Sequence, residues 1–134
     1  MASIFSRIVL GEIPSYKVAE SDDFYAFLDI NPLAKGHTLV IPKKEVDYIL
    51  DVEDALYKEL FGFAKKVGKA IESVVSCKRI GIIVFGLDVP HAHIHLIPIN
   101  SASDMNFESP KLSLGKEEFE KISDEINRAY QKIS

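Results

Sequence analysis

His91-Ala92-His93-Ile94-His95-Leu96-Ile97-Pro98 alternates imidazole with aliphatic side chains and then closes on a proline. Side chains along an extended strand have a period of two, so His91, His93 and His95 share one face and Ala92, Ile94 and Leu96 the other. The aliphatic face reads as buried. Neighbouring same-face Cβ atoms lie roughly 6–7 Å apart, near enough for several imidazoles to act on one bound group. Working outward, Gly86-Leu87-Asp88-Val89-Pro90 turns the chain into this strand, and the apolar run Ile80 to Phe85 before it suits a buried central strand. Earlier, Tyr16 to Glu20 and Phe24 to Asp29 form a hairpin pattern split by Ser21-Asp22-Asp23. Asn31-Pro32-Leu33-Ala34-Lys35-Gly36 is a turn cluster, followed by a strand from His37 to Ile41 that Pro42 closes.

Helical spacing appears in three places. Ile4, Phe5, Ile8 and Val9 predict a short helix that stops at Gly11. Leu56, Leu60, Phe63, Ala64, Val67, Ile71, Val74 and Val75 form one stripe of a long amphipathic helix, with acid from Asp51 to Asp54 at its start. Beyond the polar stretch Asn100 to Pro110, Phe119, Ile122, Ile126, Tyr130 and Ile133 mark a last helix. Strands in runs with helices attached point to an α+β fold with a mostly antiparallel sheet.

The 134 residues fit one domain with a sizeable core, and 47% hydrophobic and 27% charged residues are an ordinary globular balance. A net charge of −4 weighs against a nucleic-acid or anionic-membrane surface. Cys77 is the only cysteine, which excludes an intrachain disulfide and fits a reducing compartment. The start lacks the apolar run of a signal peptide and no stretch is long enough to span a bilayer, so the expected location is the cytoplasm.

Three same-face imidazoles admit three readings. They are hydrogen-bonded polar residues on a half-exposed strand, although strict alternation argues against that. They are metal ligands, for which His-x-His on a strand is good geometry, although residues two and four apart define a line rather than a convergent set. Or they catalyse phosphoryl chemistry, one ring attacking phosphorus while its neighbours hold phosphate oxygens and handle protons. That third reading needs no metal or other cofactor, and it needs the central ring open to a bound nucleotide.

The alternating stretch satisfies the signature His-φ-His-φ-His-φ-φ of the histidine-triad (HIT) superfamily, φ being apolar. Ile4-Phe5-Ser6-Arg7-Ile8, Gly11-Glu12-Ile13-Pro14, Ala26-Phe27-Leu28-Asp29-Ile30-Asn31-Pro32 and Gly36-His37-Thr38-Leu39-Val40-Ile41-Pro42-Lys43-Lys44 resemble its Hint branch of nucleoside phosphoramidate hydrolases. The resemblance covers about residues 3–98 of a single domain 1–134, leaving a C-terminal helical extension at about 111–133. It implies a five-stranded, mostly antiparallel sheet with flanking helices, dimerised so that two sheets become continuous. It implies that His93 attacks the α-phosphorus of a purine nucleoside monophosphate conjugate. His95 would contact the phosphate and assist the leaving group, His91 would orient His93, and His37 would complete the cluster. Asp29 would accept from the ribose hydroxyls, and Ile4, Phe5, Ile8, Phe27, Leu28 and Ile30 would line the base slot. Gly86, Leu87, Asp88 and Val89 would border the phosphate. Dinucleoside polyphosphate hydrolysis, nucleotidyl transfer and plain nucleotide binding stay open as alternatives.

Two departures stand out. Relatives often hold a structural zinc on a Cys-x-x-Cys near the start, a histidine after Pro-Lys-Lys and the first triad histidine. Here those places hold Ser3, Ser6 and Glu45. Hydroxyls are poor zinc ligands, so no structural zinc is expected. The loop before the triad is also compressed to Phe85-Gly86-Leu87-Asp88-Val89-Pro90, which puts Asp88 where a polar phosphate contact is expected. A carboxylate there repels phosphate unless it turns away or is protonated.

Overall fold

A computed structural model describes residues 2–133. In chain order it runs α1 (Ile4–Val9), β1 (Lys17–Glu20), β2 (Phe24–Leu28), β3 (Thr38–Pro42), α2 (Asp54–Val74), β4 (Arg79–Ile83), β5 (Ile94–Ile99) and α3 (Lys116–Lys132). Single turns of 3-10 helix at Ile49–Asp51 and Ala102–Met105 lead into α2 and away from β5. The strands form one five-stranded sheet in the order β1-β2-β3-β5-β4, and every neighbouring pair is antiparallel. The fold is α+β.

Alternation along the strands divides the core. Phe24, Ala26 and Leu28 of β2, Val40 of β3, and Ile94 and Leu96 of β5 point toward α2 and α3. Tyr25, Phe27, Leu39 and Ile41 point the other way, where α1 supplies Phe5 and Ile8. The helical stripe read from the sequence is the face α2 buries: Leu60, Phe63, Ala64, Val67 and Ile71 are all buried. Burying a large aliphatic side chain contributes about 1.5–3 kcal/mol, so this stripe is a main stabiliser of α2. Glu53 caps its first turn by accepting from the Ala55 N–H at 3.3 Å. In α3, Phe119 stacks on Tyr16 with ring centroids 4.9 Å apart. Asn127 Nδ2 donates to the Val18 carbonyl at 2.8 Å. The C-terminal helix is therefore a layer of this chain's own core, packed on the face away from the histidines.

Three expectations change. Ile80 to Phe85 is not a central strand: β4 is the end of the sheet order, and Ile82 is 55% exposed. An apolar run does not reveal which side its neighbours will occupy, and here only β5 pairs with it. Pro42 does not close β3 from outside but is its last residue, opposite Phe24. The histidine strand begins at Ile94, with His91-Ala92-His93 entering as irregular extended chain, anchored by the Ala92 N–H on the Val46 carbonyl at 2.7 Å. Among the described residues no helix is long and apolar enough to cross a membrane.

Candidate active site

The turn Asn31–Gly36 and the end of β2 place the first partners. Gly36 has φ +93°, a left-handed value that admits glycine readily, and it hands the chain to His37 at the mouth of β3. The Asp29 N–H donates to the His37 carbonyl at 3.0 Å, so a carboxylate and an imidazole meet where two strands end. Across the sheet, β3 and β5 run side by side and bring His37 Nε2 to 3.0 Å from His95 Nδ1.

Partners of fixed polarity assign the tautomers. The Leu33 N–H donates to His37 Nδ1 at 3.0 Å, so the ring's proton is on Nε2 and is shared with His95 Nδ1. His95 then carries its own proton on Nε2. His93 Nδ1–H donates to the His91 carbonyl at 2.8 Å, which turns His93 Nε2 away from the backbone. His91 Nε2–H donates to the Pro42 carbonyl at 2.8 Å, and His91 Nδ1 accepts from Ser3 Oγ at 2.8 Å. Burial, followed by His95 and Lys111, holds His37 down at about 3. Burial, followed by His93, holds His95 at about 4, against a raising influence of Asp88. His91 is also lowered, chiefly by burial. These rings are neutral at physiological pH, as their partners require. Asp29 is raised, first by desolvation, against the lowering Asn31 N–H bond to its Oδ1.

The hydrogen bond expected between His91 and His93 is made by the His91 backbone. Its carbonyl orients His93, while its imidazole faces Ser3 and Pro42.

Ser3, Ser6, Glu45 and His91 do converge, but as matched donors and acceptors. The Ser3 N–H and Ser6 Oγ–H both donate to Glu45 Oε1, at 2.6 and 2.7 Å, and the Ser6 N–H donates to Ser3 Oγ at 3.0 Å. These bonds push Glu45 down to about 2. The donor set does not fit a structural zinc: its two hydroxyls are weak ligands and its lone pairs are engaged. Asp29, His37 and His95 have a metal-like spacing, with donor atoms all within 4.8 Å. Yet the Leu33 N–H occupies His37 Nδ1, so a metal on Nε2 would require an imidazolate. Hydrogen bonding suits this cluster better.

Of the expected base slot, Phe5, Ile8 and Phe27 come together. The Phe5 ring meets His93 edge-on at 5.0 Å and Phe27 at 5.4 Å. Ile4 and Ile30 are exposed and outside the cluster, and Val89 packs against it. Leu28 is not brought to the site; alternation turns it into the core beneath α2 and α3. Gly86, at φ +70°, turns the loop that projects Leu87, 90% exposed, and Asp88. The expected open face of His93 is also corrected: the ring is 1% exposed, and Asp88 Oδ1 lies 3.4 Å from Nε2. The Asp88 side chain is itself 70% exposed, so it is a surface group laid over His93 Nε2.

Residues the sequence reading missed complete the mouth. Phe85, Phe107, Lys111 and Asn31 line a cavity of about 420 Å³ together with Asp29, Leu87, Asp88 and His95. Phe107 stands edge-on to His95 and to Phe85, both at 4.8 Å. The Leu112 N–H ties this segment to the Pro32 carbonyl at 2.8 Å. The signal available was a lone phenylalanine and lysine within an otherwise polar connection.

A sheet carrying four buried histidines at one end, beside a strand-end carboxylate, defines a histidine-triad protein. The HIT domain family model matches residues 10–102, and the chain belongs to that family. It is 38% identical over 132 residues to an uncharacterised HIT-like protein of Borreliella burgdorferi, covering 92% of this chain and 95% of that one. It is 36% identical over 130 residues to adenosine 5'-monophosphoramidase of Schizosaccharomyces pombe, covering 95% and 97%. Among solved structures, a Hit-like protein of Bartonella henselae superposes with TM-score 0.82 at 32% identity, covering 95% of each chain. A hypothetical histidine triad nucleotide-binding protein of Sulfolobus tokodaii gives TM-score 0.82 at 28% identity, covering 96% of this chain and 92% of that one.

Proposed function

We propose that this protein is a nucleotide-binding hydrolase that cleaves nucleoside monophosphate conjugates, phosphoramidates foremost, through a nucleotidyl intermediate on His93. The observation that carries the reading is the bond of His93 Nδ1–H to the His91 carbonyl, which reserves Nε2 for attack, with the His95 ring centred 5.0 Å away and its Nδ1 taken by His37. Similarity to an adenosine 5'-monophosphoramidase over nearly the whole of both chains supports it. His93 Nε2 attacks the α-phosphorus; the P–N bond breaks with its electron pair on nitrogen, which takes up a proton and departs as the amine. His95 Nε2–H holds a phosphoryl oxygen and the leaving nitrogen. Water then attacks phosphorus, the P–Nε2 bond breaks, the electron pair returns to His93 and a proton is released. The His91 carbonyl would stabilise the positive charge that His93 carries between the steps. Asp29 would hold the ribose hydroxyls, and Phe5, Ile8 and Phe27, with Ile4 and Ile30 at the rim, would wall the base. Substrate must displace Asp88 to reach the ring, which its exposed side chain allows.

The test is turnover of a fluorogenic purine nucleoside phosphoramidate at neutral pH. His93→Ala is expected to lower kcat/KM on the order of 10⁴-fold, the scale of losing a nucleophile, and mass spectrometry of quenched wild type to show a nucleotidyl adduct. Wild-type turnover no greater than that of His93→Ala overturns the reading. Lone Cys77 supports a reducing compartment, and we place the enzyme in the cytoplasm on that basis.

A further inference from the structure

The loop from Phe85 to Pro90 is fixed at both ends of Asp88. Gly86 turns it with a positive φ, and Val89 is packed against the Phe5 cluster. Between these points the Asp88 carboxylate reaches across to within 3.4 Å of His93 Nε2. A phosphoryl group attached to that nitrogen must take the same space, so Asp88 swings outward when substrate binds. Outward from the phosphorus, opposite Nε2, is where the leaving group sits in an in-line displacement. The displaced carboxylate therefore becomes a neighbour of the leaving group.

The charges lining the cavity are unequal. Asp29 and Asp88 face one cation, Lys111, whose ammonium is already held by the carbonyls of Phe107 and of Ser109, the latter at 3.1 Å. The remaining walls, Asn31, Phe85, Leu87, Phe107 and the neutral His95, bring no net charge to neutralise an anion. A polyphosphate leaving group adds several negative charges beside Asp88, whereas an amine adds none.

We propose that Asp88 is a specificity-determining residue that turns the site toward neutral or cationic amine leaving groups and rejects polyphosphate ones. The proposal rests on the hydrolase reading above and deepens it by naming the leaving-group class. It concerns discrimination: like charges within a few ångströms at a partly dehydrated site repel strongly, and while the α-phosphate is common to both classes, repulsion of the leaving group acts on the polyphosphate class only.

The experiment compares kcat/KM for an adenosine phosphoramidate of a neutral alkyl amine with that for diadenosine tetraphosphate, in wild type, Asp88→Asn and Asp88→Ser, with His93→Ala as the background. Wild type is expected to prefer the phosphoramidate. Both Asp88 variants are expected to raise the polyphosphate-to-phosphoramidate ratio at least tenfold. A ratio that stays within threefold of wild type, or falls, overturns the proposal. Should no substrate exceed the His93→Ala background, the hydrolase reading fails separately, and calorimetric binding of adenosine mono- and diphosphate decides the role of Asp88. Asp88→Asn is then expected to tighten the diphosphate at least fivefold more than the monophosphate; equal tightening, or none, overturns it.

Discussion

At the scale of single residues, His37, His91 and His95 are buried neutral imidazoles whose protons are placed by fixed neighbours. His37 and His95 sit at about 3 and about 4, below the roughly 6.5 of an unfolded histidine. Between those limits the unfolded chain binds protons at these rings and the native chain does not. Stability is thus complete above about pH 6.5 and falls as pH drops, by up to about 1.4 kcal/mol per pH unit for each ring. Asp29, raised by its burial, pulls in the opposite sense nearer the carboxylate range. Urea unfolding at pH 7.5, 6 and 5 checks this: the midpoint is expected to fall steadily, and a flat profile contradicts buried neutral histidines. Ser3 gives a second test. Its Oγ–H satisfies buried His91 Nδ1 while its lone pair caps α1, so Ser3→Ala removes a cap and leaves His91 Nδ1 only the longer 3.4 Å contact with Ser6 Oγ, whose proton is given to Glu45. A loss of about 1–3 kcal/mol is expected from the same denaturation measurement; a change below about 0.5 kcal/mol would show that water replaces the hydroxyl at no cost.

At the scale of elements, the turn between β2 and β3 carries more of the site than its length implies. A Cβ at Gly36 would combine a left-handed φ with a contact of 2.9 Å to Val75 Cγ2 and 3.4 Å to Pro98 Cγ. Both neighbours are stiff parts of the core, so Gly36→Ala is expected to cost about 2 kcal/mol or more and to shift His37 from His95. A lowered thermal midpoint together with reduced phosphoramidate turnover is the expected outcome; unchanged stability overturns the steric argument. The same turn shows what could be read from residues alone. Period-two alternation exposed the histidine face and the buried aliphatic face of β5, because both depend on local geometry. Whether the Ile80–Phe85 run lay in the middle or at the edge depended on which strand became its neighbour, and nothing local encodes that. Phe107 and Lys111 were illegible for a related reason: they reach the site through an irregular connection closed by one long-range bond, from Leu112 to Pro32. Asp88 was legible as a departure, but its position on His93 Nε2 required the loop's path.

At the scale of the whole molecule, the sheet ends differently on its two sides. β1 is sheltered by α3, whereas β4 presents an outer edge with no strand beside it among the described residues. Its side chains include Ile80, Ile82 and Ile83, with Ile82 largely exposed. An apolar strand on an open edge invites pairing unless a bulge, proline or charge blunts it, and here only Arg79 at its start carries a charge. We infer that a second copy covers this edge, β4 meeting β4 across a twofold axis, since a strand paired antiparallel with itself makes a self-complementary contact. Analytical ultracentrifugation at tens of micromolar is expected to give twice the 15.0 kDa of one chain. Ile82→Lys is expected to shift the species to monomer with the far-ultraviolet spectrum preserved. Because His37, His91, His93, His95, Asp88 and Phe107 all come from one chain, the monomeric variant should keep phosphoramidate turnover within about tenfold, the modest change expected when no group that touches substrate is lost. A wild-type monomer at that concentration overturns the edge argument. A monomeric variant that loses turnover altogether would show instead that the second copy completes the site.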